Sequence, residues 1–425
     1  MRSPNQLCLD NLSLINFKSS SLSLINCEAG MKRTLMIVLA VTALDAVGIG
    51  LVMPVLPSLL RDVAHSDDVA GHYGVLLSLY ALMQVFFAPI LGGMSDRFGR
   101  KPILLGSLIG AMIDYAIMSA APHLWVLYAG RILSGMMGAT MAVAGACIAD
   151  TVEEGTRARA FGWLGACYGG GMILGPVVGG ALGSISLTAP FAAAAAVNGL
   201  MALSVYLVMP EVRRTTKPEP QAKGLHCALV PSGVQKGLKP LLWVFFLLQL
   251  VGQIPAALWV IFTEDRFHWD TTYVGLSLAA FGLLHAMFQW LGTGRLVATI
   301  GAGYTIIIGI AADGLGMASL AIATEGWMTV PILVLLAFGG IAMPALQSVL
   351  SDKTSQDEQG ALQGMLASLT NISAVAGPVI FTAFYMRTAA SWNGWVWLFG
   401  PAIYLAAAPL LIFVRRQSAG LPSRR

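Results

Sequence analysis

Along almost the whole chain, apolar runs of about 20 residues alternate with short polar breaks. A helix rises about 1.5 Å per residue, so each run is long enough to cross a hydrocarbon core of about 30 Å. Twelve runs fall near residues 34–60, 73–94, 103–121, 125–149, 161–182, 191–210, 241–263, 272–293, 304–323, 327–349, 360–384 and 393–414. The pattern predicts an all-α polytopic membrane protein with 12 transmembrane helices. The longest polar interruption, 211–240, is rich in Pro, Gly and Lys and reads as a linker. It divides a six-helix bundle at 31–210 from a second at 241–415, with 416–425 a cytoplasmic tail. Residues 1–30 fit no part of this plan. They read as an N-terminal extension, disordered or arising from an upstream start, with Met31-Lys32-Arg33 the expected beginning.

Composition agrees. Hydrophobic residues make up 56% of the 425 and charged residues 11%, against about 25% charged in soluble domains. A soluble or enzymatic role is thereby excluded, and the chain shows no P-loop, HExxH or Gly-x-Ser-x-Gly pattern. The net charge of +4 reports orientation rather than nucleic-acid binding. With twelve spans, 21 of the 25 Lys and Arg fall on the side that holds both termini and the linker. Arg61, Arg266 and Arg387 lie on the other side, and Arg131 lies within a span. Positive-inside reasoning places both termini in the cytoplasm. Five scattered cysteines indicate neither a disulfide framework nor a metal site.

An offset of 202 residues aligns Gly99 with Gly301, Asp150 with Asp352, Gly162 with Gly364, and Gly175-Pro176 with Gly377-Pro378. The two halves are therefore a duplicated unit in the same orientation. This is the plan of the major facilitator fold, with two pseudo-symmetric six-helix bundles and a mid-depth cavity between them.

Two motifs stand on this frame. "GGMSDRFGRKP", residues 92–102, sits between the second and third spans, with Gly92, Asp96, Arg97, Gly99, Arg100 and Lys101. An ordinary topology-setting turn is the plain reading; a gate that pairs Asp96 across the bundle in one conformation is the functional one. "GACYGGGMILGPVVGGALG", residues 165–183, places Gly171, Gly175, Pro176, Gly179 and Gly180 on the fifth span. These residues allow close helix packing and a kink, and they resemble the signature of exporters that run as antiporters.

With these motifs the sequence closely resembles the TetA-type tetracycline/proton antiporters of the major facilitator superfamily. Further matching strings are "LDAVGIGLVMPVLPSLLRD", "QLVGQIPAALWVIFTEDRFHWD", "GGIAMPALQ" and "SWNGWVW". The match runs from Met31 to about Arg415 and fails in the linker and the first 30 residues.

Ionisable residues at membrane depth are costly and usually line a cavity or a proton path. Asp45 lies mid-depth in the first span and Asp313 in the ninth; His285 and Gln84 add polar groups in the eighth and second. Asp114 and Arg131 fall at equal depth, about 10 Å below the surface, on neighbouring antiparallel spans. A structural ion pair explains those two but not the other acids, and a satisfied packing residue remains the simple reading of His285. The resemblance implies that Asp45, Asp114 and Asp313 are essential acids, His285 the membrane histidine, Arg131 the buried arginine and Gln84 a drug-handling residue. It also implies the activity, which is export of tetracycline chelated to Mg2+ or a similar divalent cation against an incoming proton, conferring resistance. On this expectation Asp114 and Asp313 carry the competition between drug and proton, with His285 as relay. No bound cofactor or intrinsic metal is expected, and the setting is the bacterial inner membrane. A proton-coupled exporter of a phenicol or fluoroquinolone is the nearest alternative, and a facilitative uniporter the next.

Overall fold

The computed structural model describes residues 17–66, 68–120, 123–211, 238–355 and 358–410. Most of the expected linker, the tail and the first 16 residues lie outside the described residues. Among the described residues, eleven helices are long and apolar enough to cross a membrane. Spans 1 to 6 are Arg33–Val52, Ala70–Phe98, Arg100–Ala120, Leu124–Thr151, Gly155–Gly183 and Ala189–Val208. Spans 7 to 11 are Lys239–Phe267, Thr271–Ile300, Ala302–Ile322, Gly326–Asp352 and Gln359–Thr388. A shorter apolar helix, Trp395–Ala406, stands in the twelfth place. The protein is a multi-pass membrane protein.

Several expected boundaries change, each for a local reason. The first helix starts at Phe17, so residues 17–30, part of the extension expected to be disordered or to arise from an upstream start, lie in its leading turns. No Pro or Gly interrupts 17–29. Span 1 stops at Val52 rather than near 60, because a turn at Met53-Pro54 intervenes; Leu56–Ala64 is a separate short helix. Span 4 is broken between Met137 and Thr140, and span 10 between Gly339 and Ala342. In span 10 the cause is Pro344, which has no N–H to offer the carbonyl four residues back, that of Gly340. Span 8 contains a π-helical turn, Gln289–Thr293.

The duplication is visible in the backbone. Gly99 and Gly301, 202 residues apart, both hold positive φ, at 103° and 83°. His65 and His268 do the same at 50° and 54°, each ending a helix in left-handed geometry. Asp270 then caps span 8 by accepting from the Tyr273 N–H at 2.8 Å.

Span 5 joins the halves. Its Gly171, Gly175 and Gly179, one turn apart, face span 1 so closely that a Cβ would touch the backbone at Ala43, Val47 and Leu51. Its other stripe, Ile173, Pro176 and Gly180, meets Gly282, Gly275 and Thr271 of span 8. Spans 2 and 11 pair likewise, with Gly74 against Thr382 and the Pro378 carbonyl, and Gly71 against Met386.

These cross-half contacts gather at the face opposite the 92–102 loop, here called the far face. Toward the basic face, the one that bears that loop, the same stripes lose their partners. Gly162, Gly165 and Gly169 of span 5 and Gly92 of span 2 have open space where a Cβ would sit. The halves are thus closed at the far face and parted toward the basic one.

Candidate functional site

In the N-half, span 3 brings Asp114 against span 4. Arg131 Nη2 pairs with Asp114 Oδ2, also meets Met118 Sδ at 3.1 Å, and its guanidinium lies 5.6 Å from the Tyr80 ring centroid. The acid fits because Gly130 has no side chain; a Cβ there would come within 2.6 Å of Asp114 Oδ1. Asp114 is 0% exposed and Arg131 9%. A buried pair of this kind is held by mutual attraction against a large desolvation cost.

Asp45 of span 1 is half-buried and faces the Thr140 hydroxyl, just beyond the break in span 4. Tyr80 and Tyr168 lie close to the same carboxyl. Gln84 donates to Tyr80 OH at 2.9 Å and to the Gly138 carbonyl at 3.5 Å. Asp45, Gln84, Asp114 and Arg131 therefore form one cluster, with Tyr80 at its centre.

The C-half cluster stands on the equivalent break. Asp313 of span 9 packs against Gly339, and its Oδ2 accepts from Tyr404 OH at 2.7 Å. His285 of span 8 lies against Phe281, ring centroids 5.4 Å apart, and against Gly340, where a Cβ would overlap the imidazole. Asp45, Gln84, His285 and Asp313 are half-buried, in contrast to Asp114. The two acids expected to carry the competition, Asp114 and Asp313, thus differ in exposure in this conformation. In this conformation Asp114 is sealed beneath Arg131, because its carboxyl points at span 4 and not into the cleft.

The loop motif forms a network within the N-half. Arg100, 3% exposed, pairs with Asp96 at 2.5 Å and with Asp150 at the end of span 4 at 2.7 Å. It also donates to Ser95 Oγ at 2.5 Å. Lys101 donates to the Tyr206 carbonyl at 2.8 Å, and Arg97 lies over the Phe98 ring at 5.3 Å. Gly99 faces the Glu211 carboxylate, and its φ of 103° is a backbone conformation that side-chain-bearing residues rarely adopt.

Three partners escaped the sequence reading. Tyr404 and Tyr80 hold functional groups, yet a tyrosine in an apolar run carries no distinct signal. Arg61, read only as a topology marker, pairs across the halves with Glu264 and, at 3.0 Å, with Asp265. Two adjacent acids at the end of span 7, opposite the one Lys or Arg in the N-half's far-side connections, were the available clue.

Comparison with known proteins bears on this arrangement. The family model of the Major Facilitator Superfamily matches residues 38–262 and 241–425. The chain is 55% identical over 385 residues to the class G tetracycline resistance protein of Vibrio anguillarum, covering 90% of this chain and 98% of that one. It is 55% identical over 379 residues to the class C protein of Escherichia coli, covering 89% and 96%. Among solved structures, an inward-facing, unoccupied bacterial homolog of the human lysosomal transporter Spinster superposes with a TM-score of 0.73. That likeness, at 16% identity over 92% of this chain and 98% of the other, concerns the fold.

Proposed function

The chain belongs to the major facilitator superfamily, and from that membership we propose that it exports a tetracycline-class drug as a chelate with a divalent cation such as magnesium, in exchange for an incoming proton. It is a transporter and not an enzyme. The observation that carries the reading is the pair of half-buried acids, Asp45 and Asp313, one in each half beside a broken span, in a chain so similar to tetracycline resistance proteins. Positive-inside reasoning puts the basic face in the cytoplasm of a bacterial inner membrane. The cleft between the halves then faces the cell interior, where the drug is taken up.

The residues act through charge. A carboxylate in a closing, drying cavity is costly, and either a proton or the cationic chelate removes that cost. Whichever cation binds lets the halves rock; an empty, charged cleft does not close cheaply. That asymmetry favours exchange over leak. Asp114 stays neutralised by Arg131 while the basic face is open, so drug entering from that side meets Asp45, Gln84, His285 and Asp313. Asp114 becomes available only when the Arg131 contact is rearranged.

Uptake of tetracycline into everted membrane vesicles tests the proposal. Accumulation should require both a divalent cation and a pH gradient, and Asp313→Asn should abolish it. Drug accumulation indifferent to divalent cations would point to the phenicol or fluoroquinolone type of exporter. Movement without proton counterflow would indicate a uniporter.

A further inference from the structure

The breaks in spans 4 and 10 carry the same device with one chemical difference. In each half a glutamine from a neighbouring span donates to a carbonyl at the break. Gln84 Nε2 reaches Gly138 O at 3.5 Å, and Gln289 Nε2 reaches Gly340 O at 3.3 Å. Gly138 and Gly340 are equivalent positions under the 202-residue repeat. An amide nitrogen has a second hydrogen, and here the halves diverge. That of Gln84 goes to Tyr80 OH, whereas Gln289 Nε2 faces His285 Nε2 at 3.5 Å. The π turn that opens at Gln289 follows His285 by one helical turn, which puts amide and imidazole on the same side of span 8.

Donation to Gly340 O identifies the nitrogen end of the Gln289 amide, and that nitrogen only donates. His285 Nε2 must then be a bare lone pair, with the ring's single proton on Nδ1. A second proton arriving at Nε2 removes this acceptor. The amide must turn its oxygen to the ring, and Gly340 O loses the hydrogen that held it. Its only in-helix donor would have been the N–H that Pro344 lacks. Tyr80 OH both gives and accepts hydrogen bonds, so the Gln84 clasp does not depend on a proton in this way.

We propose that Gln289 is a positioning residue for proton coupling: its amide fixes His285 as the Nδ1–H tautomer and makes protonation of that ring release the carbonyl at the break of span 10. The surroundings leave the ring to this contact. Span 5 faces span 8 with Ile173, Pro176 and Gly180, span 7 with Trp259, and span 10 with Gly340, none of them a charged group. Asp313 lies against Gly339, one residue away, and is itself held by Tyr404. Binding a proton in the C-half thus loosens one discontinuous span and leaves its N-half counterpart clasped.

The inference rests on the drug–proton exchange reading, so its test includes a measurement that needs no drug. The full chain, labelled with ring-15N histidine in liposomes, is read by solid-state NMR at neutral pH. The His285 signal is identified by its loss in His285→Asn. The wild type should show the Nδ1–H form, and Gln289→Leu a mixture of tautomers. In parallel, proton-driven uptake of tetracycline–magnesium is followed between about pH 6 and 8. Gln289→Leu should lower it by at least about tenfold and flatten its pH dependence. Gln84→Leu should keep the wild-type pH dependence, whatever its rate. Gln289→Glu, close in shape, serves if the leucine variant does not fold, and should shift the ring toward its doubly protonated form. An Nε2–H ring in the wild type would overturn the proposal, as would substitutions that leave both the tautomer and the pH profile unchanged. A wild type that shows the Nδ1–H ring but moves no tetracycline would overturn the transport reading instead.

Discussion

Arg61, just beyond span 1, and Glu264, near the end of span 7, form an ion pair that ties the two halves together at the far face. Ser58 donates to the same carboxylate at 2.9 Å, and Tyr385 of span 11 donates to the neighbouring Asp265 at 2.8 Å. Arg61 thereby ties the short helix after span 1 to span 7, which Asp265 in turn joins to span 11, at the seam where the two halves must part for a far-side release. A contact of this kind sets the balance between two arrangements more than the stability of either.

Arg61→Glu is expected to reduce tetracycline uptake about tenfold, by placing like charges across the seam. The exchanged pair, Arg61→Glu with Glu264→Arg, should recover most of the loss. Resistance of cells carrying the single and paired variants measures this; equal failure of both would deny the contact a role in transport.

Removing one partner of a buried ion pair leaves the other uncompensated, at a cost of about 3–5 kcal/mol. Arg131→Gln should therefore lower the thermal melting point of the purified protein sharply, and Asp114→Asn in the same chain should restore it. If Asp114 serves transport as well as packing, the doubly neutral protein is stable yet inactive. Full uptake by that protein would reduce the pair to a structural role.

Tyr404→Phe deletes one hydroxyl and keeps the ring. Its effect on stability should stay near 1 kcal/mol, typical of a single hydrogen bond. Proton-driven uptake should fall much further, because Asp313 loses the donor that orients its carboxyl. Melting and transport measured on the same preparation separate the two effects, and a parallel decline would argue against a positioning role.

Exchange of one monovalent chelate for one proton moves no net charge. Each unit of pH gradient then supplies about 1.4 kcal/mol, and the membrane potential supplies nothing. Collapsing the potential in vesicles while keeping the pH gradient should leave drug uptake intact. Strong inhibition would require a different stoichiometry.

The sequence made the fold legible because charge is scarce. Breaks between apolar runs count the spans, and an acid such as Asp45 or Asp313 stands out against its neighbours. Pairings that need no unusual residue stayed hidden. Tyr404 differs little from any aromatic in a span, and the break at Gly138 is lost among 47 glycines. Asp114 was found, but the direction of its carboxyl, toward Gly130 and Arg131, depends on how two helices rotate against each other. Gln289 escaped for a similar reason: the repeat sets Gln84 on Ala286, and only the contact with the Gly340 carbonyl shows Gln289 in the equivalent role.

The seam between Gly275 and the Pro176 carbonyl, repeated between Gly74 and the Pro378 carbonyl, has a consequence for the speed of the cycle. Main chain rests on main chain at Gly275, and at Gly74 only the small Thr382 side chain stands beside the Pro378 carbonyl. Parting the surfaces at these two contacts leaves no large socket to refill, and rejoining them requires little rotamer search. Bulkier residues at these glycines would act as wedges, holding the gate ajar in a protein that otherwise folds.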